Sequence, residues 1–146
     1  MARVDRGVST VVGYVLNLGI ATILITGLLI AGASVVTDQR ERAVRAELDV
    51  IGNRVAADLE TADRLHRVGN GSVTVRTSLP ERVAGSTYRI AFEATGGSVT
   101  VRLETRDPAV SRTVPVRNSS TVQSGTVDGG DLIITAETGS LEVTDG

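Results

Sequence analysis

A long stretch without a charged residue constrains this chain more than any other feature. It runs from Gly7 to Thr37, close to the start of the 146-residue sequence. As a helix rising ~1.5 Å per residue, it would be about 45 Å long, which exceeds the ~30 Å hydrocarbon core of a bilayer. A soluble domain of this size has no second surface large enough to bury such a helix. The sequence therefore predicts that residues 8–37 lie in a membrane or in a bundle of similar helices.

Composition excludes several classes of function. The formal net charge is -2, so the chain lacks the basic surface that binding to nucleic acid requires. Cysteine is absent, which excludes disulfides, thiolate metal sites and cysteine nucleophiles. The single histidine, His66, belongs to no recognisable nucleophile–base pair, metal-ligand cluster or phosphate-binding loop. We therefore expect a protein that is not an enzyme and that needs no cofactor, no metal and no nucleic acid.

Residues 38–68 change character and become strongly charged, beginning with Asp38. Apolar side chains still recur at steps of three or four, which places them on one face of a helix. They are Val44, Leu48, Ile51, Val55, Leu59, Ala62 and Leu65. Acidic residues precede arginines by four positions, an orientation that stabilises helices by ~0.2–0.5 kcal/mol per pair. These pairs are Asp38–Arg42, Glu41–Arg45, Glu60–Arg64 and Asp63–Arg67.

One continuous helix of roughly 60 residues is the simplest interpretation, apolar in its first half and amphipathic in its second. No proline interrupts the sequence before Pro80, although Gly52 is a weak point at which the helix could bend. Gly69-Asn70-Gly71 would end the helix, because these residues tolerate left-handed backbone geometry.

Residues 72–146 show the period-two alternation of half-buried strands. The clearest runs are 73–76, 88–94 and 99–104, and further strands are predicted at 112–117, 121–127, 131–136 and 140–144. Gly96-Gly97 and Gly129-Gly130 are predicted to form hairpin turns. The predicted fold is α+β: a long N-terminal helix packed on a small antiparallel β-sheet or β-sandwich head.

The N-terminal residues Arg6-Gly7-Val8-Ser9-Thr10-Val11-Val12-Gly13 resemble archaeal type IV pilins and pilin-like proteins, in particular those of salt-loving archaea. The resemblance implies a class III signal, in which a prepilin peptidase removes residues 1–7 as a leader and retains the apolar segment. The cut would fall between Gly7 and Val8, within the motif Arg6, Gly7, Val8 and Ser9. Thr10 stands where proline is common in the family, which fits a minor or pilin-like subunit at least as well as a major one.

The same resemblance implies a structural subunit of a type IV pilus-like surface filament or secretion assembly. Its partners would be other pilin subunits, the prepilin peptidase and the assembly ATPase with its membrane platform. The precursor would lie in the cell membrane with its C-terminal head extracellular, and the mature subunit in the filament. Arginines on both sides of residues 8–37 mildly favour the opposite orientation, so the external head rests on the resemblance alone.

Two alternatives explain the apolar segment without assembly. It could anchor an extracellular β-domain that binds a partner or ligand and never polymerises. It could also be a secretory signal cleaved at Ala31-Gly32-Ala33, but the apolar run before that site far exceeds the usual ~7–15 residues.

Smaller motifs give candidate sites. Asn17 could hydrogen-bond a neighbouring helix, and Gly27 with Ala31 forms a small-xxx-small pair that permits close helix approach. Asn70 and Asn118 begin N-glycosylation sequons. Asp128 and Asp131 flank Gly129-Gly130, but the predicted hairpin turn explains these residues without calcium.

Overall fold

The computed structural model describes residues 2–69, 71–95, 97–118 and 120–146, with side chains from Thr10 onward. Its α+β architecture confirms the predicted fold class: helix α1 spans Ala2–Val68, and nine strands follow among the described residues. The strands are β1 (Val73–Thr77), β2 (Arg82–Val83), β3 (Ser86–Thr95), β4 (Ser98–Arg106), β5 (Ala109–Val116), β6 (Thr121–Val122), β7 (Gly125–Asp128), β8 (Leu132–Glu137) and β9 (Ser140–Asp145).

Helix α1 is 67 residues long and has no break, which confirms the prediction of one continuous helix. Its last turn is closed by the Gly69 amide, which donates to the carbonyl of Leu65 at 3.0 Å. Asn70 lies outside the described residues. Two of the four predicted ion pairs form, Glu41–Arg45 at 2.9 Å and Asp63–Arg67 at 3.2 Å. The acidic residues of the other two predicted pairs are Asp38 and Glu60. Glu60 instead accepts a hydrogen bond from a loop amide of the head, as described below.

The chain divides into two structural units, residues 1–39 and residues 40–146. The described residues of the first unit, 2–39, are all helical. The second holds the rest of α1, all nine strands described above and a buried apolar core. The helix contributes Val44, Leu48, Ile51, Val55, Ala56, Leu59 and Ala62 to that core.

Leu65 is the exception among the predicted core positions of the helix. Its side chain is 51 % exposed, so the prediction that it continues the buried face was wrong. His66, one position later, is directed at the strands instead, because its Nε2 accepts a hydrogen bond from the Gly139 amide at 3.0 Å.

Gly52 lies within helix α1 and allows the helix and the sheet to approach closely. A Cβ atom at this position would lie 2.8 Å from Cγ2 of Val114 and 2.9 Å from Cδ1 of Leu103. The apparent weak point is therefore a position where a side chain would collide with β4 and β5.

The strands form two sheets. One has four strands in the order β1-β8-β9-β6, and the other has the order β2-β3-β4-β5 with β7 paired to the free stretch of β3. The predicted hairpin at Gly96-Gly97 joins β3 to β4, with Thr95 opposite Ser98 and a φ of 84° at Gly97. Gly96 itself lies outside the described residues. All of these strand pairs are antiparallel except β6–β9, which is parallel over two residue pairs.

The prediction of a hairpin at Gly129-Gly130 was wrong. Strand β7 pairs with β3, whereas β8 pairs with β1 and β9, so this turn carries the chain from one sheet to the other. Gly129 is required by the ring of Tyr88, since a Cβ atom would lie 2.6 Å from the ring's Cζ. The single strand predicted at 121–127 is two strands for the same reason, because β6 and β7 join different sheets.

Candidate membrane-spanning and subunit-packing segment

The apolar segment is uncovered in this structure. Every described side chain from Thr10 to Gln39 is exposed, and Leu16, Leu24 and Leu28 are 64 %, 67 % and 75 % exposed. By length and composition the helix can cross a membrane, and none of the residues in its apolar window is buried. Burying a leucine side chain gains ~1.5–3 kcal/mol, so contact with lipid or with other protein would stabilise this segment.

Most hydroxyl groups of this segment are already satisfied by their own helix. Thr22 and Thr26 each donate to the carbonyl four residues earlier at 2.8 Å, Ser34 donates to the Ala31 carbonyl at 2.9 Å, and Thr37 to that of Ala33 at 3.2 Å. A hydroxyl that is hydrogen-bonded within its helix can enter hydrocarbon without leaving a donor unpaired. The segment is therefore compatible with a lipid environment despite its five threonines and serines after Ser9.

The three predicted packing residues share one side of the helix. At 100° per residue, Asn17, Gly27 and Ala31 fall within about 80° of one another. The Asn17 amide makes no side-chain hydrogen bond within the described residues, and a Cβ atom at Gly27 would meet nothing within 4 Å. This side therefore combines two small residues with an amide able to bond to a second helix.

The predicted cleavage motif lies at the start of the same helix. The backbone of Arg6, Gly7, Val8 and Ser9 is helical. Their side chains lie outside the described residues.

Carboxylates of the amphipathic half of α1 accept hydrogen bonds from backbone amides of the head. Glu47 accepts a hydrogen bond from the Ala84 amide at 2.8 Å, and Glu60 accepts one from the Arg117 amide at 3.0 Å. Asp63, which is 1 % exposed, accepts one from the Ser120 amide at 2.9 Å and pairs with Arg67. Three loop amides outside the strand ladders thus find their hydrogen-bond acceptors on the helix.

Side chains of the strands also donate hydrogen bonds to aspartates of the helix. Arg112 of β5 donates to Asp49 at 2.6 Å, and the Thr77 hydroxyl at the end of β1 donates to Asp58 at 2.7 Å. Near the helix end, His66 accepts a hydrogen bond from the Gly139 amide. His66 thus has a structural role, linking the end of the helix to the turn before β9.

The two sequons differ in what the structure shows. Asn118 is half-buried: its amide nitrogen donates to the Ser120 carbonyl, and its Oδ1 is enclosed without a partner among the described residues. Its side chain is thus engaged in the turn after β5. Asn70, the other predicted glycosylation site, lies outside the described residues.

A charged cleft of about 570 Å³ opens beside the turn at Gly129-Gly130. Arg89 in this cleft pairs with Asp128 at 3.2 Å, and Asp131 accepts a hydrogen bond from the Ser78 hydroxyl at 2.8 Å. Tyr88 lies beneath, donating to the Pro80 carbonyl at 2.7 Å, and burial raises the pKa of its phenol to about 12. The two aspartates considered for calcium thus have separate partners in the head.

Sequence reasoning identified the exposed segment and missed the carboxylate contacts. Glu47, Asp58 and Glu60 stand beside the apolar stripe, where acidic residues are usually solvated. Their only sequence signal is that they flank buried positions on one helix face, which does not specify the strand loops that they bind.

Comparison with known proteins gives one match. Residues 3–144 match the model of a family described as a family of unknown function (DUF7266). The matched range includes the apolar segment, the amphipathic half and the strands. No curated protein and no solved structure matches the chain.

Proposed function

This chain belongs to the DUF7266 family, and we propose that it is a structural subunit, of the minor-pilin or pilin-like kind, of an archaeal type IV pilus-like filament or secretion assembly. In this proposal the apolar segment holds the precursor in the membrane. After processing it leaves the lipid and packs against the same segment of other subunits. The head then lies on the outside of the cell and of the filament.

One observation carries the proposal: a single unbroken helix has a fully exposed apolar first part and a second part whose apolar face is buried by its own strands. Replacing lipid contacts by contacts with neighbouring helices keeps the apolar side chains out of water throughout assembly. The open side bearing Asn17, Gly27 and Ala31 supports helix packing specifically, because a plain anchor in lipid gains nothing from an unpartnered amide.

Processing and partners follow from the resemblance of the N-terminus. A prepilin peptidase would cut between Gly7 and Val8, and an assembly ATPase with its membrane platform would extract the mature subunit from the bilayer. Neither step needs a cofactor on this chain. The competing function, a single-pass anchor for a β-domain that never polymerises, requires neither the cut nor the extraction.

Intact-mass spectrometry separates the two functions. The chain is expressed in an archaeal host that has a prepilin peptidase, and its mass is measured in the membrane and in the sheared surface fraction. The proposal predicts loss of residues 1–7 in both fractions. Recovery only in the membrane, with residues 1–7 present, would contradict it and favour the anchor.

A matched pair of variants tests the site of the cut. Gly7→Phe should leave the precursor uncut in the membrane, because the peptidase motif requires a small residue before the cut. Ala2→Phe places the same side chain within the leader but outside the motif, and should be processed normally. Normal processing of Gly7→Phe would refute the proposed site.

A further inference from the structure

Within the part of the second structural unit that the structure describes, large apolar side chains are exposed only along the helix. Among the described residues from 40 onward these are Val50, Leu65 and Val68, which are 69 %, 51 % and 87 % exposed. The described strands expose none of this class. Valine and leucine exposed along one element, while the described strands expose none, make this helix surface the candidate for a protein contact.

These side chains belong to one line on the helix. We define the outer lane as Ala43, Val50, Ala57, Leu65 and Val68, all of them exposed. At 100° per residue they fall within about 80° of one another, on the side opposite the buried positions Leu48, Val55 and Leu59. The strands therefore cover one side of this helix and leave the outer lane free.

Lipid is a poor candidate for covering the outer lane. The charge-free stretch that ends at Thr37 already exceeds the thickness of a bilayer core at ~1.5 Å per residue. Asp38, Arg40, Glu41 and Arg42 follow immediately and would lie in the polar interface. The outer lane begins beyond these charges, so its partner must be protein.

We infer that the outer lane packs against the outer lane of a second copy of this chain, parallel to it and shifted along the helix by seven residues. Small and large side chains alternate every seven residues, as Ala43, Val50 and Ala57. A shift of seven, about 10.5 Å along the axis, places each Val50 beside the Ala57 of its neighbour. The alanines let the two helices approach closely, as small residues do at helix interfaces.

Charge supports the same shift. Glu47 and Arg54 are exposed, lie within the same 80° span as the outer lane and are also seven residues apart. Arg54 forms no ion pair within the described residues, and Glu47 uses one carboxylate oxygen for the Ala84 amide, which leaves the other available. In the shifted pair, Glu47 of one copy meets Arg54 of the next, whereas an unshifted parallel pair places like charges together.

Cysteine cross-linking tests this inference, which rests on the proposed function. The chain has no cysteine, so introduced pairs are free of background. The double variant Val50→Cys/Ala57→Cys is compared with each single variant and with Thr113→Cys/Thr126→Cys, two exposed positions on β5 and β7. Each variant is recovered from the sheared surface fraction, oxidised with a copper–phenanthroline complex and examined on a non-reducing gel.

The inference predicts a covalent dimer from Val50→Cys/Ala57→Cys, and monomers from both single variants and from the strand pair. The dimer requires the close Cβ separation of a disulfide between residue 50 of one copy and residue 57 of the other. If the chain is in the surface fraction but the double variant stays monomeric, or Val50→Cys alone dimerises, the outer-lane packing is overturned and the proposed function stands. If no variant and no wild-type chain reaches the surface fraction, both are overturned.

Discussion

Residues 10–37 and residues 40–68 belong to one helix, yet their apolar side chains meet opposite surroundings. Leu24 in the first part is 67 % exposed, whereas Leu48 in the second is fully buried by the strands. Within the described residues, no side chain covers the apolar surface of the first part. The apolar face of the second part is buried in the core of the head. The comparison shows that the strands bury the apolar face of the second part, whereas the apolar side chains of the first part stay exposed among the described residues.

The largest expected difference in stability is between two leucine-to-alanine variants, one in each region. Leu48→Ala should lower the free energy of unfolding of the head by ~2–5 kcal/mol, because it leaves a cavity in a closed core. Leu24→Ala should leave that free energy unchanged, since Leu24 is 67 % exposed and belongs to the other structural unit. Urea unfolding in detergent micelles, followed by the circular dichroism of the strands, measures both. Equal losses from the two variants would show that the regions are not energetically separate.

A second prediction compares the two tyrosines under alkaline conditions. The pKa of Tyr88 is raised from 10.0 to about 12 by burial, so the folded head keeps this proton where the unfolded chain loses it. The resulting stability is present below pH 10 and should be lost as the pH rises from 10 to 12, by about 3 kcal/mol at most. The chain has no lysine to mask this loss.

The measurement is the free energy of unfolding in urea between pH 9 and pH 12. Tyr88→Phe should abolish the alkaline loss, whereas Tyr14→Phe, in the apolar segment, should preserve it. A loss of unchanged size in Tyr88→Phe would show that another group causes it.

A smaller effect is expected from the aspartates at the two ends of the amphipathic half. Asp63→Asn should cost ~1–3 kcal/mol of head stability, because it removes the charge that Arg67 pairs with and disturbs the buried acceptor of the Ser120 amide. Asp38→Asn, at an exposed position, should change stability by less than ~0.5 kcal/mol. Hydrogen exchange of the Ser120 amide is the direct readout, and it should accelerate only in Asp63→Asn.

The smallest effect separates two glycines of the same helix. Alanine normally stabilises a helix interior by ~1 kcal/mol over glycine, and Gly27→Ala should show this gain in helix stability because its Cβ meets nothing within 4 Å. Gly52→Ala should lose about 1 kcal/mol instead, because the new methyl group collides with Val114 and Leu103. Thermal unfolding monitored by circular dichroism checks the sign of each change. A stabilising Gly52→Ala would show that the core has room.

Local patterning was enough to predict the helix, its two halves and most strands. The three- and four-residue steps from Val44 to Ala62 define a face that the structure buries, and the alternation from Tyr88 to Ala94 defines β3. These features depend on neighbours along the chain. The failures at Gly129-Gly130 and at residues 121–127 have a common cause, because both depend on which sheet a strand joins. That choice is set by contacts with distant strands, which the local pattern does not record.

The candidate site was predictable in part for a similar reason. The exposed apolar segment follows from composition, since no other part of the chain could cover it. The hydrogen bonds from Glu47, Glu60 and Asp63 to loop amides were not predictable, because each joins residues 37 to 57 positions apart. The outer lane became visible only once the strands were seen to cover the opposite side of the helix.

The central claim is that the apolar segment exchanges lipid for neighbouring helices. A spin label attached at Leu24→Cys, in a chain with no other cysteine, tests it most directly by electron paramagnetic resonance of the sheared surface fraction. The account predicts strong dipolar broadening that disappears when labelled chains are diluted with unlabelled ones, together with low accessibility to dissolved oxygen. A narrow spectrum with the high oxygen accessibility of a lipid-facing label would contradict it and identify the segment as a simple anchor.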